Sequence, residues 1–110
     1  MKYVVKIGNL ALLQLNEIVT YISGVYHSTS IASQWLSLLE NAIISLEFFP
    51  YRFPIIEGEM CNTDSLDIHK MYLKNFFIYY VINENEKTVI VIAIVYTKRN
   101  QNHILKKFNA

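Results

Sequence analysis

Two segments constrain this chain more than any other. Phe76-Phe77-Ile78-Tyr79-Tyr80-Val81-Ile82 and Val89-Ile90-Val91-Ile92-Ala93-Ile94-Val95-Tyr96 are nearly apolar at both odd and even positions. Short runs rich in β-branched and aromatic residues read as strands. A strand that is apolar on both sides of its pleat must be covered on both sides. The intervening Asn83-Glu84-Asn85-Glu86-Lys87 reads as a hairpin turn. Any fold for this chain must therefore cover a two-stranded apolar ribbon on both faces.

The upstream residues supply one cover. Tyr3 to Ile7 reads as a short strand that Gly8-Asn9 ends, with Asn9 as a candidate helix N-cap. Ala11, Leu15, Ile18, Ile22 and Val25 then recur at helical spacing, and Gly24 is the expected stop. After the polar turn His27-Ser28-Thr29-Ser30, a second amphipathic helix is expected. Its stripe is Ile31, Trp35, Leu38, Ala42, Leu46 and Phe49, and Pro50 and Pro54 forbid continuation. Residues 55 to 66 read as an acidic loop, and strands are expected over roughly 67–74, 75–83 and 88–96. The order is β-α-α-β-β-β, an α+β fold. A two-helix hairpin packs on one face of a mainly antiparallel four-stranded sheet, with an optional short C-terminal helix built on Ile104, Leu105 and Phe108. The 110 residues form one domain, 1–110. The second sheet face is left to the C-terminal segment or to another chain.

Composition narrows the function. With 10 Lys plus Arg against 9 Asp plus Glu, the net charge is +1. That excludes whole-surface attraction to nucleic acid and leaves only local patches. Charged residues at 17% and hydrophobic residues at 53% exclude disorder and suggest apolar surface meant for a partner. Cys61 is the only cysteine, so no internal disulfide is expected. His27, Cys61, His69 and His103 lack zinc-ligand spacing, so neither metal nor cofactor is expected. The longest apolar run has eight residues, against about 20 for a membrane span. The N-terminus makes a poor secretory signal, and a cytoplasmic location is the expectation.

The order of these motifs resembles the RelE/ParE superfamily, the toxins of bacterial type II toxin–antitoxin pairs, also known as plasmid stabilisation proteins. The resemblance runs from Glu17-Ile18-Val19-Thr20-Tyr21-Ile22 through Ala32-Ser33-Gln34-Trp35 and Leu46-Glu47-Phe48-Phe49-Pro50-Tyr51-Arg52. It is strongest over Ile68-His69-Lys70-Met71-Tyr72-Leu73-Lys74 with the strand after it, and over the last strand with Thr97-Lys98-Arg99-Asn100. It implies a cognate antitoxin and one of two targets. RelE-like members cut mRNA on the translating ribosome, and ParE-like members inhibit DNA gyrase without cleavage.

Cleavage by attack of a 2′-hydroxyl on the adjacent phosphate needs a base, an acid and cations for the phosphorane charge. The family's basic pair matches Lys98-Arg99, with Tyr96 as an accompanying catalytic candidate. The family's arginine of the third strand falls at about Phe76, that of the second strand at His69, and its C-terminal tyrosine near Leu105. The partial site shifts the expectation toward gyrase binding, with ribosome-dependent endoribonuclease activity as the alternative and a non-toxic interaction module as a third. Lys70, Lys74, Lys98, Arg99 and His103 are the candidate target-binding residues. Lys70 and Lys74 share a strand parity, which suits them to flank a phosphate or an acidic partner, or to form an ordinary exposed strand face. Ile104, Leu105, Lys106, Lys107 and Phe108 are the candidate antitoxin-binding residues, suited to an amphipathic acidic segment. A homo-oligomer is also compatible. Read as packing residues, His69 is a semi-buried structural histidine, Trp35 fills the core, and Tyr96 caps it.

Overall fold

The computed structural model describes residues 2–56 and 67–97. The elements are β1 (Val4–Ile7), α1 (Asn9–Tyr26), α2 (Thr29–Ile44), β2 (Ile68–Leu73), β3 (Phe76–Asn83) and β4 (Thr88–Tyr96). Short 3₁₀ turns at Ser45–Glu47 and Pro50–Arg52 follow α2. The sheet order is β1-β4-β3-β2. β2–β3 and β3–β4 pair antiparallel, while β1 joins the edge of β4 in parallel. The expected β-α-α-β-β-β layout is thus present, with a mixed sheet.

The apolar run of β4 is handled by a bulge. The register with β3 shifts between Tyr79 and Tyr80, so that Tyr79 faces Ala93 and Tyr80 faces Val91. One extra residue, Ile92, is absorbed, and alternation is reset. Val89, Val91, Ile94 and Tyr96 join the core under the helices. Ile90, Ile92, Ala93 and Val95 pack on the far face, around buried Ile68, Tyr79 and Val81. Beyond the end of β1, the backbone N–H of Ile94 donates to Gln14 Oε1 of α1 at 2.8 Å, which satisfies the strand edge.

Both helices lie on one face. α1 buries Ala11, Leu15, Ile18 and Ile22 and packs against β4 and α2. Several local expectations are corrected. The N-cap of α1 is Gly8, with no side-chain bond, and Asn9 is the first helical residue. A Cβ at Gly8 would lie 3.1 Å from the Val91 carbonyl oxygen, so the close strand-to-helix crossing favours glycine here. α1 runs through Gly24 and ends at His27 in the left-handed conformation (φ 51°). Val25 is accordingly off the buried face, 50% exposed. Ser28 caps α2, its hydroxyl oxygen accepting from the Ile31 N–H at 3.2 Å.

α2 stops at Ile44, not at the proline, and buries Ala32, Leu39 and Ile43. Ile31, Trp35 and Ala42 only flank that line. The polar side of α2 is the expected one, with Ser33, Ser37 and Glu40 exposed, but the buried line is turned about its axis toward Ala32, Leu39 and Ile43. The residues assigned to the loop from 55 begin with structure: Ile55 bridges His69, and the Ile56 N–H bonds the Ile68 carbonyl at 2.8 Å. The expected acidic loop over 57–66 and the C-terminal helix lie outside the described residues. Among the described residues no helix is long and apolar enough to cross a membrane.

Candidate functional site

The sheet face away from the helices carries the most distinctive cluster. Lys70 on β2 lays its ammonium 3.9 Å from the centroid of the Phe77 ring and 5.8 Å from that of Tyr79. Tyr72 tilts against Phe77 with centroids 5.3 Å apart. Tyr72 is 61% exposed. Strand register makes this cluster: Lys70 pairs with Tyr79 and Tyr72 with Phe77 across β2–β3, so the four side chains share one face. Chemically it offers one cation, held by ring quadrupoles, beside aromatic rings on which unpaired bases stack.

Lys74 does not join it. β2 ends at Leu73, and Lys74 occupies the turn with φ 52°. Its ammonium lies 5.8 Å from the centroid of a Trp35 ring, on the helix side. The shared-parity expectation for Lys70 and Lys74 is therefore corrected: the turn breaks the alternation between them. Tyr96 is also on the helix side. It is buried, stacked on Phe76 at 4.9 Å and edge-on to Tyr21 at 6.0 Å. Burial raises the pKa of its hydroxyl, with the neighbouring tyrosines Tyr26 and Tyr21 adding to the effect. Lys98, Arg99, His103, Ile104, Leu105, Lys106, Lys107 and Phe108 lie outside the described residues.

His69 is a core residue. A carbonyl can only accept, so its Nδ1 donates to the Phe53 carbonyl at 2.8 Å. Its ring stacks on Tyr80 at 5.2 Å and meets Tyr51 edge-on at 5.9 Å. Trp35 packs edge-on against Phe76.

Sequence reasoning missed a second polar cluster at the opposite end of the sheet from Tyr96. Glu84, in the β3–β4 turn, accepts from Tyr3 Oη at 2.8 Å and Tyr51 Oη at 2.6 Å. Its other carboxylate oxygen pairs with Lys87. The Lys87 hydrogen bond, then those from Tyr51 and Tyr3, hold the carboxyl down at about 2. Bonding to the same carboxylate, with burial, pushes Tyr51 up to about 12. Beside this cluster, Tyr80 Oη donates to the Pro50 carbonyl at 2.6 Å; burial raises that phenol to about 12. No motif announces this cluster, because its members lie far apart in the chain, Tyr3 and Glu84 being separated by 81 positions. Among the described residues no group of three metal-ligating side chains converges.

No protein-family model matches the sequence, and no curated protein matches it. Solved structures do match its fold. The toxin–antitoxin complex RelBE2 of Mycobacterium tuberculosis aligns over 87% of this chain and 92% of its own, with a TM-score of 0.62 at 15% identity. The archaeal RelE–RelB complex of Pyrococcus horikoshii aligns over 90% and 99%, with a TM-score of 0.53 at 20% identity. A doubly substituted Escherichia coli toxin RelE in the free state aligns over 92% and 90%, with a TM-score of 0.53 at 14% identity. The chain has the fold of RelE toxins.

Proposed function

We propose that this chain is the toxin of a type II toxin–antitoxin pair, that a cognate antitoxin neutralises it, and that it cleaves mRNA on the translating ribosome. The observation that carries this reading is the fold correspondence with RelE toxins along nearly the full length of both chains, two of those structures being complexes with RelB. The departures from the family's arginine positions favour gyrase binding on sequence grounds, but the matching structures lend that target no support.

In the cleavage reading, Lys70 offsets phosphate charge while Tyr72 and Phe77 receive bases. Lys98 and Arg99, which follow Thr97 in the sequence, supply further cations for the phosphorane, and His103 supplies a titratable group. Tyr96, buried among core rings, is left without a role in proton transfer. The antitoxin presents acidic side chains to Lys106 and Lys107 and apolar ones to Ile104, Leu105 and Phe108.

The test is cell-free translation with purified protein, reading mRNA 5′ ends by primer extension. Codon-positioned breaks are expected only when ribosomes translate. Arg99→Ala abolishes them, Lys70→Ala slows them by about 100-fold, and Lys74→Ala leaves them unchanged. Intact message together with blocked gyrase supercoiling would replace this reading with the gyrase one.

A further inference from the structure

The segment joining α2 to β2 displays an aromatic ring that the fold does not use. Phe49 is 78% exposed, and its backbone sits at φ 54°, a region bulky side chains avoid. Its neighbours hold it there. Pro50 is buried behind it, its carbonyl tied to Tyr80. Arg52 donates to the Phe48 carbonyl at 2.9 Å and to Ser45 Oγ at 2.8 Å, and its backbone N–H bonds the Phe49 carbonyl at 3.2 Å. Over-determined strain of this kind concentrates where a protein makes contacts.

Directly before this knuckle in the chain lies a matching recess. Val5 and Ile7 of β1, with Ile43 and Ile44 of α2, floor a groove of about 360 Å³ rimmed by Glu40 and Glu47. A space of about 150 Å³ already accommodates benzene, so a phenyl side chain fits. Ile44 is 54% exposed and Ile7 37%. Glu47 faces Lys2 at 3.9 Å, whereas Glu40 makes no ion pair among the described residues.

We propose that the chain forms a two-fold dimer in which Phe49 of each copy seats in the Val5–Ile7–Ile44 groove of the other, with Arg52 facing Glu40. Three observations select a second copy as the occupant. Glu47 of the groove lies two residues before the knob in the chain, so neighbouring segments of one copy supply both halves of the contact, as an isologous interface requires. Arg52 spends only part of its donor set on its own chain, and Glu40 is a carboxylate of complementary charge that makes no ion pair among the described residues. The charged residues that line the groove are both acidic, Glu40 and Glu47, which disfavours a phosphate backbone as its occupant.

Light scattering on the full chain from about 1 to about 100 µM tests this. The expected mass rises toward twice the 12.9 kDa of one chain. Phe49→Asn suits the left-handed backbone, so its thermal midpoint holds or rises while the dimer dissociation constant increases at least about tenfold. Ile44→Glu weakens the dimer from the groove side. A mixture of these two variants associates more strongly than either alone, because one knob–groove contact survives. Glu40→Lys, set against Arg52, weakens association about tenfold. A monomer throughout that range overturns the proposal, as does a dimer that Phe49→Asn leaves at wild-type strength. A groove filled by the chain's own residues 57–66, or reserved for an antitoxin, would give the monomer result.

Discussion

The two faces of the sheet are drawn from the same strands and put to different uses. On the helix side, Phe76, Ile78, Tyr80, Val89, Val91 and Ile94 are sealed from solvent and locked by ring stacking and by the Tyr80–Pro50 bond. On the far side, Phe77, Ile90, Ile92, Ala93 and Val95 are only partly buried around a smaller cluster, and Lys70 lies across an aromatic ring. Neighbouring residues such as Phe76 and Phe77 therefore have the same chemistry and different duties. The first face supplies stability, and the second retains surface for contact.

The largest test of this contrast pairs those two phenylalanines. Phe76→Ala opens a cavity in a close-packed core and is expected to lower stability by about 3–5 kcal/mol, measured by denaturant unfolding. Phe77→Ala is expected to cost about 1 kcal/mol, since its ring is only partly buried and packs on the smaller cluster, yet to impair mRNA cleavage. Equal losses in stability would erase the distinction between the faces. Next, Tyr80→Phe removes a buried donor and leaves the Pro50 carbonyl unsatisfied, at a cost of about 1–2 kcal/mol in the same assay. Its exposed counterpart Tyr72→Phe should be neutral within about 0.5 kcal/mol.

The smallest effect is a pH dependence. Glu84 is depressed in the folded chain, so the stability it contributes is present above its unfolded value near 4.5 and is lost as pH falls toward about 2. Glu84→Gln should flatten the thermal midpoint profile between those limits. A profile identical to that of the wild type would assign the acid sensitivity to other carboxylates.

The parts of the molecule legible in its sequence are those dictated by local pattern. The limits of β4 follow from the apolar run, the inner face of α1 from Ala11, Leu15, Ile18 and Ile22, and the burial of His69 from its strand parity. What was illegible depends on where an element stops or on distant partners. Phe49 belongs to the stripe of α2 only if the helix continues. In the structure α2 gives way to a 3₁₀ turn after Ile44, and the ring swings outward. Lys74 shares a face with Lys70 only if β2 runs one residue further. The Glu84 cluster joins residues 3, 51, 84 and 87, which no window-based reading brings together. Of the candidate site, Lys70 was legible as a cation on a strand, but its seat on Phe77 required the register of β2 against β3.

The parallel seam between β1 and β4 also governs how the molecule comes into being. β2, β3 and β4 form a meander whose contacts are close in sequence. β1, by contrast, is the first of the four strands to be made and docks on the fourth, Val4 beside Thr88, and Gln14 reaches Ile94 across 80 positions. Closing so long a loop is a late event. During synthesis the N-terminal strand leaves the ribosome with no partner to meet, and it waits through the making of both helices and two further strands. A chain interrupted before residue 88 lacks the strand on which β1 docks, so the four-stranded sheet closes only after β4 is made.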